Sequence, residues 1–244
     1  MKFTKHYTVK WHDTDANRFV RPTQLLMYMQ ETANFQLEDA GVSLDVLRDE
    51  RGLAFLLSSI SIRMYAPLYT RDEIDVQTWV GEGHGFSYTR GFCVLRGGEV
   101  VAEASSIWAL MNLREKRLMR AGEAPYDIEP EEMPELDLPR RLRMPRGEHM
   151  ETVGARRIVY SDIDYNGHMN NTHYPDLFCD FTPQILQSRV TGMVLSFVHE
   201  AAFGRVLRVQ RTRVEDGYLF RTEDENGTVC TDAYVRLEPI AKVD

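Results

Sequence analysis

The chain carries the same short pattern twice, and that repeat limits its fold more than any other feature. Around residue 11 it reads WHDTDANRFVRPTQLL, and around residue 160 it reads YSDIDYNGHMNNTHYP. Both stretches have an aromatic, one further residue, then Asp-x-Asp-x-Asn. Asp13, Asp15 and Asn17 align with Asp162, Asp164 and Asn166 at a constant offset of 162 − 13 = 149. In a chain of 244 residues, that offset leaves each copy with the length of a small domain.

The surroundings repeat as well. Strand-like segments, Tyr7 to Trp11 and Arg157 to Tyr160, precede the two motifs. After the first motif, Pro22 suits the opening turn of a helix, where its missing N–H costs nothing. Leu25, Leu26, Met29, Ala33, Leu37 and Ala40 then recur at helical spacing, with Gly41 as the stop. After the second motif, Tyr174, Leu177, Phe178 and Phe181 form one stripe, interrupted at Pro183. Four strand-like runs follow each helix. They are 54–65, 73–80, 86–95 and 100–111 in the first half, then 193–202, 206–214, 218–222 and 229–237 in the second. Asp216-Gly217 and Asn226-Gly227 mark hairpin turns. Strand, long helix and four strands in each half predict an α+β fold, with an antiparallel sheet wrapped around one helix in each of two domains.

The expected domains are 1–113 and 151–244. Between them, 114–150 replaces periodic hydrophobicity with Pro125, Pro130, Pro134, Pro139, Pro145 and charged clusters, and reads as a linker. Its basic end, Arg140, Arg141, Arg143 and Arg146, is either solvated linker or a patch for a partner.

A formal charge of −8 argues against nucleic acid as the main partner. No apolar run approaches the roughly 18–20 residues of a membrane span, so membrane insertion is not expected. The N-terminal MKFTKHYTVKW has no apolar targeting core. Cys93, Cys179 and Cys230 are odd in number and far apart, giving neither a disulfide framework nor metal-ligand spacing. The expected compartment is reducing, the cytoplasm, with no cofactor and no metal.

The two motifs differ in their chemistry. His168 corresponds to Phe19, Gly167 to Arg18, and Asn170 and Asn171 to Arg21 and Pro22. The second copy therefore gathers Asp164, Asn166, His168, Asn170 and Asn171 at a strand-to-helix junction. Histidine exchanges a proton near neutral pH, and a nearby carboxylate can set its tautomer. Asparagine can position a water or a carbonyl without adding charge, and a helix N-terminus suits a developing oxyanion. Asp and Asn also cap helices and make turns, so residue type alone leaves catalysis and capping both open.

The repeat plan and the run SDIDYNGHMNNTHY resemble the acyl-ACP (acyl carrier protein) thioesterase family, whose plant members carry a closely similar Asp-x-Asn-x-His-x-Asn-Asn stretch in their second domain. The resemblance extends to the QETAN stretch from Gln30 to Asn34 in the first helix. It implies two tandem hot-dog domains and hydrolysis of fatty acyl-ACP to free fatty acid and carrier. It also implies that Asp164, Asn166 and His168 belong to the active site, with Glu200 of SFVHEAAFG as the family's glutamate on the strand after the second helix. Plant members carry a cysteine directly after that glutamate, where this chain has Ala201. The mechanism implied is general-base activation of water by Glu200 and His168. The first domain, lacking the histidine, is expected to supply the acyl pocket, with Phe55, Leu57, Ile60, Ile62, Met64, Trp108 and Met111 as candidate lining. An acyl-CoA thioesterase would use the same residues, so the motif does not separate the carriers. A non-catalytic acyl-binding protein and a hot-dog dehydratase are the readings from other classes. Monomer and homodimer both stay open.

Overall fold

In the computed structural model, residues 2–145 and 149–240 are described. Arg146 of the basic cluster lies outside them.

The chain forms two compact units. The first comprises the chain through Val20 together with Gln24–Leu136, and the second comprises Arg21–Thr23 and the chain from Asp137 onward. In the first unit, β1 (Phe3–Thr8) leads through the first motif into helix α1 (Pro22–Asp39), followed by β2 (Leu53–Met64), β3 (Glu73–Val80), β4 (Ser87–Arg96) and β5 (Glu99–Asn112). The short β6 (Arg117–Met119) pairs with the end of β5. The second unit repeats this order with β7 (Glu151–Arg157), helix α2 (Tyr174–Asp180), β8 (Ser188–Phe197), β9 (Val206–Val214), β10 (Gly217–Glu223) and β11 (Val229–Pro239). Strands run in the order β1-β3-β4-β5-β2 within the first unit and β7-β9-β10-β11-β8 within the second, so the topology repeats strand for strand. Pairing within each unit is antiparallel.

The sequence pattern explains which faces are buried. Leu25, Leu26, Met29, Ala33 and Leu37 form the buried stripe of α1, while Ala40 lies beyond the helix end and is exposed. Gly41 takes a left-handed φ of +73°, and Val42 N–H closes back on the Leu37 carbonyl at 2.9 Å, a Schellman-type stop. Along β2 the buried positions switch from Leu53 and Leu57 to Ile60, Ile62 and Met64. The register against β5 shifts between Leu57 and Ser59, and the extra residue of that bulge moves the apolar face from odd to even positions. Polar side chains enter this interior too. Arg90 on β4 is buried, donates to Gln36 of α1 and to Thr78 of β3, and burial lowers its pKa to about 10.

The second helix is shorter than expected, with seven residues against eighteen in α1. A tight turn at Asn171–His173 precedes it, and Thr182 just past its end bonds back to the Phe178 carbonyl before Pro183. Its Tyr174 and Phe178 rings still fill the core, against Phe197 of β8 at 5.4 Å and Phe220 of β10 at 5.2 Å. Phe181 falls outside the helix and is only partly buried.

Residues 114–150 are divided between the units. Trp79 donates to the Glu132 carbonyl at 2.8 Å in the first, and Asp137 accepts from Arg236 at 2.9 Å in the second. Arg140, Arg141 and Arg143 are exposed.

Candidate active site

Much of the backbone hydrogen bonding of the repeat is reproduced. Val20 N–H bonds to the Leu68 carbonyl at 2.9 Å, and Met169 N–H to the Ala201 carbonyl at 2.8 Å. Arg71 N–H bonds to Val9, and Gly204 N–H to Ile158, while Val9 and Ile158 in turn bond to Asp72 and Arg205. The motif loops correspond at the offset of 149 and the segments they pair with at 201 − 68 = 133. The first unit therefore has 149 − 133 = 16 more residues between loop and partner, which accommodates its longer helix.

This frame locates the residues named from sequence. Asp164 accepts from the Asn166 N–H at 2.8 Å, and its own carbonyl takes the Gly167 N–H at 3.0 Å, so its carboxylate shapes the turn. Asn166 lies exposed at the tip. Gly167 sits at φ +81°, and Arg18 occupies the same left-handed position at φ +66° in the first unit. Asn170 accepts from Thr172 N–H and hydroxyl, both at 2.9 Å, capping the turn before α2. For Asp164 and Asn170, the turn and cap are what the geometry displays.

His168 and Glu200 are brought together. The His168 Nε2 lies 3.6 Å from Glu200 Oε1, with side-chain exposures of 21% and 67%. Glu200 does not end the strand as expected, because β8 stops at Phe197. The N–H groups of Val198 and His199 both turn to the Cys230 carbonyl, which ends the ladder. The chain released there pairs instead with the motif loop, through Met169 to Ala201 and an antiparallel bridge between His168 and Ala202. In the first unit the bridge at the same position joins Phe19 to Tyr69, and Pro67 precedes Leu68 where Glu200 precedes Ala201. Imidazole and carboxylate are thus replaced together by Phe19 and Pro67. Sequence alignment exposed the first replacement; the second needs the offset of 133, which no sequence pattern announces.

The family models for the acyl-ACP thioesterase N-terminal domain and C-terminal domain match residues 1–127 and 149–237. The chain belongs to the acyl-ACP thioesterase family. A palmitoyl-acyl carrier protein thioesterase of Cuphea hookeriana is 23% identical over 84% of the chain, and the chain spans about half the length of the curated relatives it matches, 53% in that case. Two solved acyl-ACP thioesterases share the fold. The one from Bacteroides thetaiotaomicron superposes with a TM-score of 0.88 at 24% identity, covering 97% of this chain and 98% of that one. The 12:0-ACP thioesterase from Umbellularia californica gives 0.86 at 18%, covering 98% of each chain. Both units are hot-dog domains of this acyl-ACP thioesterase architecture.

Two features bear on covalent chemistry at the site. Ala201 is buried beneath the loop. Cys93 and Cys230 are buried, and burial raises both thiol pKa values, that of Cys230 to about 11, which disfavours the thiolate a nucleophile requires. No helix is long and apolar enough to cross a membrane among the described residues.

Proposed function

We propose that this protein hydrolyses fatty acyl thioesters of acyl carrier protein, releasing free fatty acid and carrier. The observation that carries the reading is the His168–Glu200 pair at 3.6 Å, present in the second unit and replaced by Phe19 and Pro67 in the first. A gap of that length exceeds a direct hydrogen bond and suits two groups sharing one water. Glu200 and His168 take a proton from that water, and the hydroxide adds to the thioester carbonyl carbon. The oxyanion is held by the Asn166 amide and by backbone N–H groups of the motif loop. The C–S bond then breaks, the acid leaves, and the held proton passes to the departing sulfur. Asp164 keeps the loop in the conformation that presents Asn166 and His168.

The first unit takes the acyl chain in this reading. Phe55 and Trp108 support that role, being partly buried against Leu53, Tyr88 and Leu110. Leu57, Ile60, Ile62 and Met64 are buried in the core. The family match supports the carrier protein over coenzyme A as acyl donor. The deciding experiment compares acyl-ACP and acyl-CoA of matched chain length. A higher kcat/KM for acyl-ACP is expected. Equal or better use of acyl-CoA would reassign the carrier, and no hydrolysis of either would sink the reading.

A further inference from the structure

Asp162 lies two residues before Asp164, has no assigned role, and is almost fully buried with 1% of its surface exposed. Four groups converge on it. Its Oδ2 accepts from Val159 N–H at 2.9 Å, and its Oδ1 receives the Arg156 guanidinium in a short ion pair. His173 Nδ1 stands 3.8 Å from the same Oδ1, and the Asp162 backbone carbonyl accepts from Asn170 N–H at 2.8 Å. The bond to Asn170 closes a small hairpin whose next rungs are the Ile163–Met169 bridge and Asp164 N–H to the His168 carbonyl. Two rungs thus connect Asp162 to the backbone of His168. A buried carboxylate is stable only when paired, so Arg156 fixes where Asp162 sits.

The first unit supplies an internal control. Asp13 has the same backbone bond, from Lys10 N–H at 2.7 Å, is equally buried and also has a histidine near its Oδ1, His12 Nε2 at 3.7 Å, but its strong side-chain donor is the neutral Tyr28 hydroxyl in place of a guanidinium. Its loop carries Phe19 in place of the imidazole.

We propose that Asp162 is a positioning residue of the active site, acting with Arg156 to hold the loop so that His168 faces Glu200. This rests on the function proposed above. Reacting groups displaced by about 1 Å can lose rate on the order of 10²-fold. Asp162→Asn and Arg156→Gln should each lower kcat about 10- to 100-fold with KM nearly unchanged, while Asp13→Asn keeps near wild-type kcat. The double variant, in which two amides can again hydrogen-bond, should lose no more than the worse single variant. Arg156 is 31% exposed, so Arg156→Gln reads the effect even if Asp162→Asn fails to fold. The imidazole resonances of His168 in 15N-labelled protein give a readout independent of turnover. They should move in Asp162→Asn or Arg156→Gln and stay in Asp13→Asn, whether or not the wild type proves to be a thioesterase. Unmoved His168 resonances in both second-unit variants, or an equal loss of kcat in Asp13→Asn, would overturn the assignment. Absence of hydrolysis by the wild type would sink the proposed function and leave the resonance test to decide this one.

Discussion

Phe19 and His168 occupy the same rung of two copies of one loop, Phe19 bridging to Tyr69 and His168 to Ala202. The Phe19 ring packs edge-on against Tyr69 at 5.7 Å, whereas the His168 ring meets the Glu200 carboxylate at 3.6 Å. One backbone frame thus carries an aromatic contact in the first unit and an ionisable pair in the second.

If His168 and Glu200 activate one water together, neither works alone. His168→Ala and Glu200→Ala should each cost about 10²–10⁴-fold in kcat, and the double variant little more than either. Multiplying losses, or a folded Glu200→Ala variant with near wild-type rate, would exclude joint activation and leave His168 to act with Asp164.

The first motif should be dispensable for chemistry. Asp15 accepts from Asn17 N–H at 2.8 Å and Phe19 N–H at 3.0 Å, a turn-forming role. Asp15→Asn should keep most turnover if melting shows it folded. A loss as large as that of His168→Ala would move chemistry into the first unit.

No cysteine should be a nucleophile. A variant with Cys93, Cys179 and Cys230 all changed to Ser or Ala should retain substantial activity once its fold is verified by circular dichroism. Mass-spectrometric capture of an acyl group on any of the three would contradict this.

Carrier steering should depend on arginines that remain exposed. Sequence proximity groups Arg156 with Arg140, Arg141, Arg143 and Arg157, but Arg156 is committed to Asp162 and lies 3.7 Å from Asp180. Charge reversal of Arg140 and Arg141 to Glu should raise KM for acyl-ACP, more at low salt than at high, and barely alter KM for a short thioester mimic. Equal effects on both substrates would remove these residues from the carrier surface.

The shared left-handed position allows a stability test. Arg18 holds φ +66° where the second unit has Gly167 at φ +81°. A non-glycine residue there is strained by about 1–2 kcal/mol, partly offset by the greater chain freedom glycine loses on folding. Arg18→Gly should therefore stabilise by up to about 1 kcal/mol, and Gly167→Ala, with nothing within 4 Å of its added Cβ, should destabilise by a similar amount. Denaturant melts with the opposite signs would refute the strain argument.

The repeat, the order of elements along the chain and the unit that carries the imidazole were legible in the sequence alone. Those features rest on local signals: Asp-x-Asp-x-Asn turns, alternating β-branched runs, and Pro22 and Gly41 at the helix ends. The sequence could not set the length of α2 or the end of β8, since Phe181 continues a helical stripe and Val198 continues an apolar strand. A local bond marks the first, from the Thr182 hydroxyl back to Phe178 just before Pro183, and tertiary bonds settled the second, with Val198 and His199 both turning to Cys230. The meeting of Glu200 with His168, the matching of Pro67 to Glu200, and the commitment of Arg156 to Asp162 likewise became legible only in the folded chain. Each joins positions separated by a segment whose length differs between the units or whose path turns out of its ladder. Residue periodicity encodes which face of an element is buried, whereas pairing across such a segment depends on where the chain returns in space.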